Sequence, residues 1–268
     1  MHRTLSFSSL KTSWRRAAAA GVVAALALAF ASCKNESVPA PESGAEYYPV
    51  AVGNFWVYAV ADTTWSQATQ STPSVATASA YQFKETITEE FADAAGKKAY
   101  RLVRSKRAGA SPGFVNDSVF VLSATGQSVV LNRNNARTLE LIFPIREGRL
   151  WNFNAYNNNF NDTITAETRR YSRLGQPFTT RAAFGVPAQT FPTTLTTANT
   201  GAAAETSLLK RIGYQQVFAK GVGPIYRRRD NFLNFNYTDP RTGNQIYVPG
   251  SYSVGFSRRE TLIDYGPR

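Results

Sequence analysis

Short runs rich in Val, Ile, Thr, Tyr, Phe and Trp alternate with clusters of Gly, Asn, Asp and Pro from Tyr47 to the end of the chain. β-Branched and aromatic residues favour strands, and the intervening residues favour tight turns. No window of a dozen residues shows a clear apolar period of 3.6, so at most one short helix is expected, around 202–210. The pattern predicts an all-β domain, with a curved antiparallel sheet that forms a half-open barrel or a two-layer sandwich.

The same pattern predicts where strands and turns fall along the chain. Strands are expected near 54–61, 81–91, 98–106, 117–123, 127–133, 138–143, 149–154, 160–171, 178–184, 190–197, 214–220, 223–229, 232–238 and 256–264. Turns are expected at 95–96, 125–126, 134–135, 239–243 and 249–250, where Gly, Asn, Asp and Pro concentrate. The Ser/Thr/Ala-rich stretches 63–80 and 196–206 favour long loops.

Residues 1–32 have the layout of a cleavable secretory signal. The segment starts with four basic residues and no acid, namely Arg3, Lys11, Arg15 and Arg16. An uncharged, Ala-rich stretch follows over 17–30. The 16 residues from 17 to 32 fall short of the roughly 20 that a helix needs to span a hydrocarbon core. This length favours a cleaved signal over a permanent transmembrane helix.

The signal ends in Phe30-Ala31-Ser32-Cys33, which resembles the bacterial lipobox, usually Leu-Ala-Gly/Ser-Cys, with Phe30 in place of Leu. The resemblance implies a diacylglyceryl thioether on Cys33, cleavage before it, and usually acylation of the new amino terminus. Each buried CH₂ contributes about 0.8 kcal/mol, so two or three chains hold a protein on a membrane. The alternative is an ordinary signal peptide that happens to precede a cysteine.

Removal of the leader restricts the chemistry of the exported part. The only His is His2, the only Met is Met1, and the only Cys is Cys33. Zinc, copper and haem sites mostly use His or Cys ligands, imidazole-based nucleophilic catalysis needs a His, and a disulfide needs two thiols, so the exported part lacks the usual side chains for them. The chain has 30 Lys plus Arg against 18 Asp plus Glu, and loss of the four basic leader residues leaves a net charge of +8. We expect no catalytic residues, no metal and no cofactor.

One motif occurs twice, 95 residues apart. Its pattern is aromatic, Pro, aliphatic, two free positions, Gly, free, apolar, Trp, free, aromatic. The first copy carries Pro49, Gly53, Trp56 and Tyr58, and the second carries Pro144, Gly148, Trp151 and Phe153. Pro interrupts pairing, Gly permits a bend, and Trp anchors a core. We predict a tether over 33–46 and a β domain over 47–268, with related halves 47–141 and 142–268; one turn type used twice is the alternative.

At these residues the chain resembles the poorly characterised outer-membrane lipoproteins of Bacteroidota. Those proteins open with a Tyr/Phe-Pro-Leu-x-x-Gly-Asn-x-Trp-x-Tyr box soon after the lipid cysteine, and residues 48–58 stand in its positions. Segments 143–151, 186–191 and 219–225 are also similar, although Gln189 replaces the usual Gly. The resemblance implies a single antiparallel β domain at the outer membrane and supplies no catalytic residues.

Two surface features suggest binding chemistry. Basic side chains could form a patch for anionic head groups or acidic glycans, with Arg227, Arg229, Arg101 and Lys106 as its members. Aromatic side chains near strand ends could stack on sugars or line a lipid cavity, at Tyr156, Phe160, Phe232, Phe235, Tyr237, Tyr247 and Tyr252. A dispersed cationic surface and aromatic core packing are the simpler interpretations. Consecutive strand residues face opposite ways, which separates Arg228 from Arg227 and Arg229.

The remaining polar clusters indicate little catalysis. Glu85 and Glu89 would share one strand face about 13 Å apart by strand rise, which is too far for a glycosidase pair. The asparagine-rich run at 152–162 holds a single Asp and is typical of turns more than of calcium loops.

Three functional hypotheses follow. The first is a non-enzymatic envelope lipoprotein that binds an apolar ligand, a glycan or a partner protein. The second is a structural or assembly component of the outer membrane without a small ligand. The third is a carboxylate-based glycan hydrolase. Nucleic acid is not expected as a partner, because a tethered envelope protein rarely meets it.

The lipobox predicts the behaviour of one variant. Cys33→Ser removes the thiol that would carry the lipid, so the protein should move from the membrane fraction to the soluble fraction. Fractionation of cells that express either form, followed by immunoblotting, measures this change. A Cys33→Ser protein that stays in the membrane fraction would contradict the lipid anchor.

Overall fold

A computed structural model of the chain describes residues 43–109, 113–156, 166–201, 204 and 206–267. Cys33 and the lipobox residues Phe30, Ala31 and Ser32 lie outside this part of the chain, as does the leader. Residues Glu42–Arg268 form one compact unit. Among the described residues, no helix is long and apolar enough to cross a membrane.

The described fold is all-β, as the sequence predicts. Twelve strands follow a single-turn 3₁₀ helix, η1 (Ala45–Tyr47). They are β1 (Phe55–Trp65), β2 (Ala76–Ala92), β3 (Lys98–Arg107), β4 (Val115–Ala124), β5 (Ser128–Arg133), β6 (Ala136–Ile142), β7 (Leu150–Asn152), β8 (Thr168–Thr179), β9 (Thr190–Asn199), β10 (Lys210–Ala219), β11 (Gly223–Thr238) and β12 (Gln245–Gly266). All strand pairs are antiparallel, in the order β6-β5-β4-β3-β2-β1-β12-β11-β10-β9-β8-β7.

The strand order describes two six-stranded meanders joined along β1 and β12. These strands pair over the full length of β1, from Phe55 opposite Gly266 to Trp65 opposite Gly255. The two outer strands, β6 and β7, then approach each other because the sheet curves. The sheet therefore forms a nearly closed barrel.

A few bonds join β6 to β7 and β8 across the seam. The Leu139 N–H donates to the Phe153 carbonyl at 2.8 Å, and the Trp151 indole donates to the Leu139 carbonyl at 2.9 Å. The Tyr171 hydroxyl accepts from the Ile142 N–H at 2.7 Å and lies 2.9 Å from the Ile142 carbonyl. Side-chain hydrogen bonds thus join β6 to β7 and β8, where the described residues form no continuous ladder of backbone hydrogen bonds.

The repeated motif occupies equivalent positions in the two meanders. Gly53 and Gly148 both have positive φ, at 93° and 76°, a backbone region that favours glycine. The Gly53 N–H donates to the Ile87 carbonyl of β2 at 2.8 Å, and the Gly148 N–H donates to the Tyr171 carbonyl of β8 at 2.9 Å. Each glycine therefore bonds to a buried residue of the strand that follows its own.

The bonds around each glycine also correspond. Asn54 and Arg149, which follow the two glycines, accept a backbone bond from Ile87 and Tyr171, respectively. Their side chains donate to the carbonyls of Pro49 and Pro144, at 3.1 and 2.6 Å. The peptide bond before Pro144 is cis. The motif is one turn that opens each six-stranded meander.

Several sequence predictions need correction. The expected helix at 202–210 is not found among its described residues, because β10 begins at Lys210. The strands expected at 223–229 and 232–238 form one strand, β11. Residues 249–250, expected as a turn, form a bulge within β12, where Tyr247 and Tyr252 pair with Asn236 and Asn234.

The tether and loop boundaries also differ from expectation. The tether was expected to end at Glu46, but Gly44 is buried and the Glu46 carbonyl accepts from Gly221 at 2.8 Å. The loop expected at 63–80 is shorter, because β1 extends to Trp65 and β2 begins at Ala76. No strand spans 178–184, where β8 ends at Thr179 and Ala183 forms an isolated bridge with Val186.

Gly223 packs closely against the Trp56 ring, so a larger residue at this position should destabilise the fold. A Cβ on Gly223 would lie 2.9 Å from Trp56 Nε1, and Gly223 has φ +104°. Gly223→Ala should lower the free energy of unfolding by about 2–4 kcal/mol, since overpacking and a positive φ each cost about 1–2 kcal/mol. Urea denaturation followed by tryptophan fluorescence measures the change.

Gly126→Ala serves as the control, because its Cβ would meet no atom within 4 Å and its φ is not positive. This variant should change the free energy of unfolding by less than about 0.5 kcal/mol. Equal effects of the two substitutions would refute the packing argument.

Candidate ligand-binding site at the open end of the barrel

The barrel has an apolar base. Trp56, Tyr58 and Val60 alternate along β1 and all belong to the main core cluster. Val57 and Ala59 point to the opposite face, where they pack in a small separate cluster. Alternate residues of every strand add to the interior at this level, so the base is filled with buried aromatic and aliphatic side chains.

The indole and phenol groups of β1 are fixed within this base. The Trp56 indole donates to the Val222 carbonyl at 2.6 Å, and the Tyr58 hydroxyl donates to the Pro224 carbonyl at 2.8 Å. Both acceptors lie at the start of β11, beside η1, whose Glu46 carbonyl accepts from Gly221. The described chain therefore enters at the filled end of the barrel.

Above the base, Arg227 of β11 holds two carboxylates. Its Nη1 and Nη2 donate to the two oxygens of Glu85 at 3.0 and 2.9 Å, and Nη1 also donates to Glu260 at 3.0 Å. All three residues are buried, at 9%, 2% and 8% exposure. The Arg227 guanidinium lies 4.8 Å from the centre of the Tyr58 ring. This triad links β2, β11 and β12 across the inner face of β1.

Glu85 and Arg227 of the triad remain ionised because each stabilises the charge of the other. Burial alone would raise the pKa of Glu85, but the attraction of Arg227 and its hydrogen bonds hold that pKa below the ordinary value. Burial likewise acts to lower the pKa of Arg227, and Glu85 raises it well above the usual range. A buried ion pair of this geometry is costly to break, because the remaining charge has no solvent.

Gln216 of β10 extends the network to the far wall. Its amide is assigned so that the oxygen accepts from Arg227 Nε at 3.3 Å and the nitrogen donates to Glu140 Oε2 at 3.3 Å. The same nitrogen donates to the Tyr214 hydroxyl. Glu140, which is buried on β6, accepts from Arg133 of β5 at 3.2 Å. Polar groups on both sides of the β6–β7 seam are thereby connected.

Two further ion pairs lie nearer the rim. Arg258 donates two bonds to Asp62, at 2.7 and 2.8 Å, and the Tyr81 hydroxyl donates to the same carboxylate at 2.6 Å. Burial opposes ionisation of Asp62, but these bonds lower its pKa. Arg104 binds Asp117 through Nε and Nη2, at 2.9 and 2.7 Å.

Two inward-facing cations on this level have no carboxylate partner among the described residues. Arg229 is exposed, and its one contact is with the Tyr214 ring, 5.8 Å from the ring centre. Lys106 of β3 is also exposed and lies 4.0 Å from the centre of the Tyr81 ring. The open end of the barrel thus presents two cationic side chains that form no ion pair of their own with a described residue.

A cavity of about 100 Å³ lies among these groups. It is lined by Glu85, Arg104, Arg133, Tyr214, Arg227, Arg228, Arg229, Arg258 and Glu260. Six of these residues are arginines and two are glutamates. A larger and shallower hollow of about 660 Å³ lies near the base, and the charged residue in its lining, Lys220, pairs with Glu46 at 3.1 Å. The smaller cavity is the more specific site because its polar groups converge.

The structure separates the members of the predicted basic patch. Arg227 and Arg229 share the inner face, and Lys106 faces the interior from the opposite part of the sheet. Arg101 instead faces outward and pairs with Glu89 at 2.9 Å. Arg228 also faces outward and pairs with Asp230. The four predicted residues therefore do not form a single patch.

The expected relation between Glu85 and Glu89 is wrong. A bulge between Ile87 and Glu89 shifts the register of β2 against β3, so Glu85 faces the interior while Glu89 faces outward beside Arg101. The carboxylate near Glu85 is Glu260, which sequence spacing did not reveal because 175 residues separate them along the chain. Both bind the same Arg227 nitrogen at 3.0 Å.

This carboxylate pair suits charge pairing better than glycoside hydrolysis. A general acid needs a raised pKa, whereas the pKa of Glu85 is lowered. Among the described residues, no group of three or more His, Cys, Asp or Glu side chains could hold a metal ion. The asparagine-rich run lies outside the described residues from 157 to 165, and Asn152 accepts a turn-type bond from the Asn154 N–H.

The predicted aromatic side chains pack partly against one another. Phe232 lies 4.9 Å from both Trp65 and Tyr252, measured between ring centres, and these two rings lie 5.7 Å apart. Phe235 lies 6.1 Å from Tyr237. Tyr156 and Tyr247 are exposed, and Phe160 lies outside the described residues. The three-ring cluster is on the outer face, away from the cavity.

In comparisons with known proteins, no family model, no curated protein and no solved structure matches this chain.

The buried triad predicts how stability depends on one carboxylate. Glu85→Gln leaves Arg227 paired with Glu260 alone, and the loss of the charge-assisted bonds to Glu85 should cost about 1.5–3 kcal/mol at pH 7. Because Glu85 has a lowered pKa in the folded state, its contribution is complete above the unfolded value of about 4.3. The contribution is lost as the pH falls through the lower folded pKa, so the difference between variant and parent should shrink in acid.

Denaturant titrations at several pH values between neutrality and strong acid measure this difference. Glu89→Gln is the control, because Glu89 forms an exposed pair with Arg101 that contributes at most about 1 kcal/mol. If the two variants lose the same stability at pH 7, the triad does not hold the barrel together.

Proposed function

We propose that this chain is a lipid-anchored, non-enzymatic protein of the bacterial outer membrane whose β domain binds a polar envelope glycan at the open end of the barrel. The observation that carries the proposal is the division of the interior. The base is filled with apolar side chains, whereas the opposite end presents charged and partly exposed groups around a cavity. A polar ligand matches such a surface.

An acyl chain inside the barrel fits less well. Pockets for small ligands usually enclose about 300–1,000 Å³ and are mainly apolar. The inner cavity of about 100 Å³ is too small and is lined by charged groups. The apolar side chains of the base fill the space that an acyl chain would need. The proposal therefore favours a glycan over an apolar ligand.

The first described residues and the proposed site lie at opposite ends of the β domain. The described chain starts beside the base, where Glu46 contacts the β10–β11 turn. β11 rises from that turn past Arg227 and Arg229 to its hairpin tip. The ten residues between Cys33 and Gly44 span at most about 35 Å. A lipid on Cys33 would then hold the base toward the membrane and the open end away from it.

A pair of tryptophan substitutions tests the location of the binding site. Asn231 is exposed on the inner face of β11, two residues beyond Arg229, so Asn231→Trp should obstruct the open end. Val119 is exposed on the outer face of β4, so Val119→Trp serves as a matched control. The detergent-solubilised full-length protein is applied to an array of bacterial envelope glycans.

We expect the parent protein and Val119→Trp to bind the same glycans, and Asn231→Trp to lose at least tenfold in signal. Organic extraction and mass spectrometry of the Cys33→Ser protein should yield no stoichiometric lipid. Binding that survives Asn231→Trp, or a stoichiometric lipid in the extract, would contradict the proposal. The absence of glycan binding by the parent would favour a structural or assembly role.

A further inference from the structure

The cavity at the open end is surrounded by hydrogen-bond donors that the protein does not use. An arginine side chain has five N–H donors and no acceptor. The Arg229 side chain makes no hydrogen bond with any described residue, and the Arg133 side chain uses a single nitrogen, Nη1, to bind Glu140. Both residues line the cavity of about 100 Å³. Unused N–H donors of two arginines thus converge on this cavity.

The carboxylates around this cavity are already committed. Glu85 and Glu260 bind Arg227, Asp62 binds Arg258, and Glu140 binds Arg133. These pairs fix the three arginines in place, whereas the charge of Arg229 has no ion-pair partner among the described residues. A neutral ligand would leave that charge and the free donors without a partner other than water. A ligand with acceptor-only oxygens would satisfy both.

From these observations we infer that the cavity binds an oxyanion, a phosphate or a carboxylate group carried by the ligand, with Arg229 as its principal partner. The inference rests on the proposed function and specifies its ligand as an acidic glycan. A water molecule occupies about 30 Å³ in the liquid, so a cavity of about 100 Å³ has room for one such group. The rest of the ligand would extend into solvent past Lys106.

The preformed pairs make the site selective for charge rather than size. Arg227 and Arg258 cannot turn toward the ligand without leaving buried or half-buried carboxylates unpaired. Arg229 carries no such constraint, because it is exposed and has no acidic partner among the described residues. Its guanidinium can therefore form a bidentate bond to an oxyanion, the arrangement in which arginine binds phosphate and carboxylate best.

Isothermal titration calorimetry of the full-length protein in a neutral detergent, at constant ionic strength, tests this inference. The two probes are inorganic pyrophosphate and trigalacturonic acid, which present phosphate and carboxylate oxygens, respectively. We expect saturable binding of at least one probe with a stoichiometry of one. Tighter binding of pyrophosphate would identify a phosphorylated glycan as the source of the oxyanion, and tighter binding of trigalacturonic acid would identify a uronic-acid glycan.

Arg229→Ala should weaken binding of that probe at least tenfold, because it removes charge-assisted hydrogen bonds. Arg229→Lys keeps the charge and should recover part of the loss. Arg170→Ala is the matched control, since Arg170 is exposed on the outer face of β8 and no described carboxylate pairs with it. This control should bind within twofold of the parent.

Failure of the inference can be separated from failure of the proposed function. Absence of saturable binding of both probes, or equal weakening by Arg229→Ala and Arg170→Ala, would overturn the oxyanion site. If a neutral glycan then binds and is lost in Asn231→Trp but not in Arg229→Ala, the open end is still the binding site. If Asn231→Trp weakens the binding of no glycan, the proposed function is overturned as well.

Discussion

The pairing of the first strand with the last holds this fold together. β1 pairs with β12 over eleven residues, and without that ladder the chain would be two separate six-stranded meanders. Every other strand pair joins neighbours along the sequence, so it closes only a short loop. The β1–β12 pair closes nearly the whole domain, and its entropic cost must be met by contacts made at the same time. Trp56 and Tyr58 supply such contacts through their bonds to the start of β11.

The charged triad crosses this central ladder. Arg227 reaches from β11 over the inner faces of β12 and β1 to Glu85 on β2, so it links four consecutive strands. Apolar side chains could fill the same volume with equal or greater stability. An ion pair, however, is satisfied in only one register, because a shift of one residue would turn Glu85 or Arg227 to the outer face. The triad therefore specifies the alignment of the two meanders as well as stabilising it.

The two meanders begin alike and differ at the position opposite the motif tryptophan. Trp56 pairs with Glu85 and Trp151 pairs with Arg169, which are both buried. Glu85 finds Arg227 on the other meander, whereas Arg169 binds Glu167 and is enclosed by the rings of Phe153 and Tyr214. The Nη1 nitrogen of Arg169 has no hydrogen-bond partner among the described residues. The strand positions opposite the two tryptophans thus carry opposite charges, and the difference makes the interior asymmetric.

Sequence patterns predicted the parts of this structure that depend on local chemistry. The turns at 95–96, 125–126, 134–135 and 239–243 fall between strands as expected, because Gly, Asn and Asp tolerate the required backbone angles. The motif was placed correctly as a turn that opens a Trp strand. The positions of bulges were not predicted, and they change which face a residue takes. A single extra residue in β2 places Glu89 on the outer face. Partners that meet across the barrel, such as Glu85 and Arg227, carry no local signal.

The same limit explains why the basic patch was only partly anticipated. Alternation correctly separated Arg228 from its two neighbours, but it could not show that the face shared by Arg227 and Arg229 is concave. Because the sheet curves, the side chains of these cations point toward a common centre. Most of them bind carboxylates that come from distant strands. Arg229 lies beside Arg258, which already binds the carboxylate at that level, Asp62. Arg229 therefore forms no ion pair with a described residue, and this is the property on which recognition of an anionic ligand would depend.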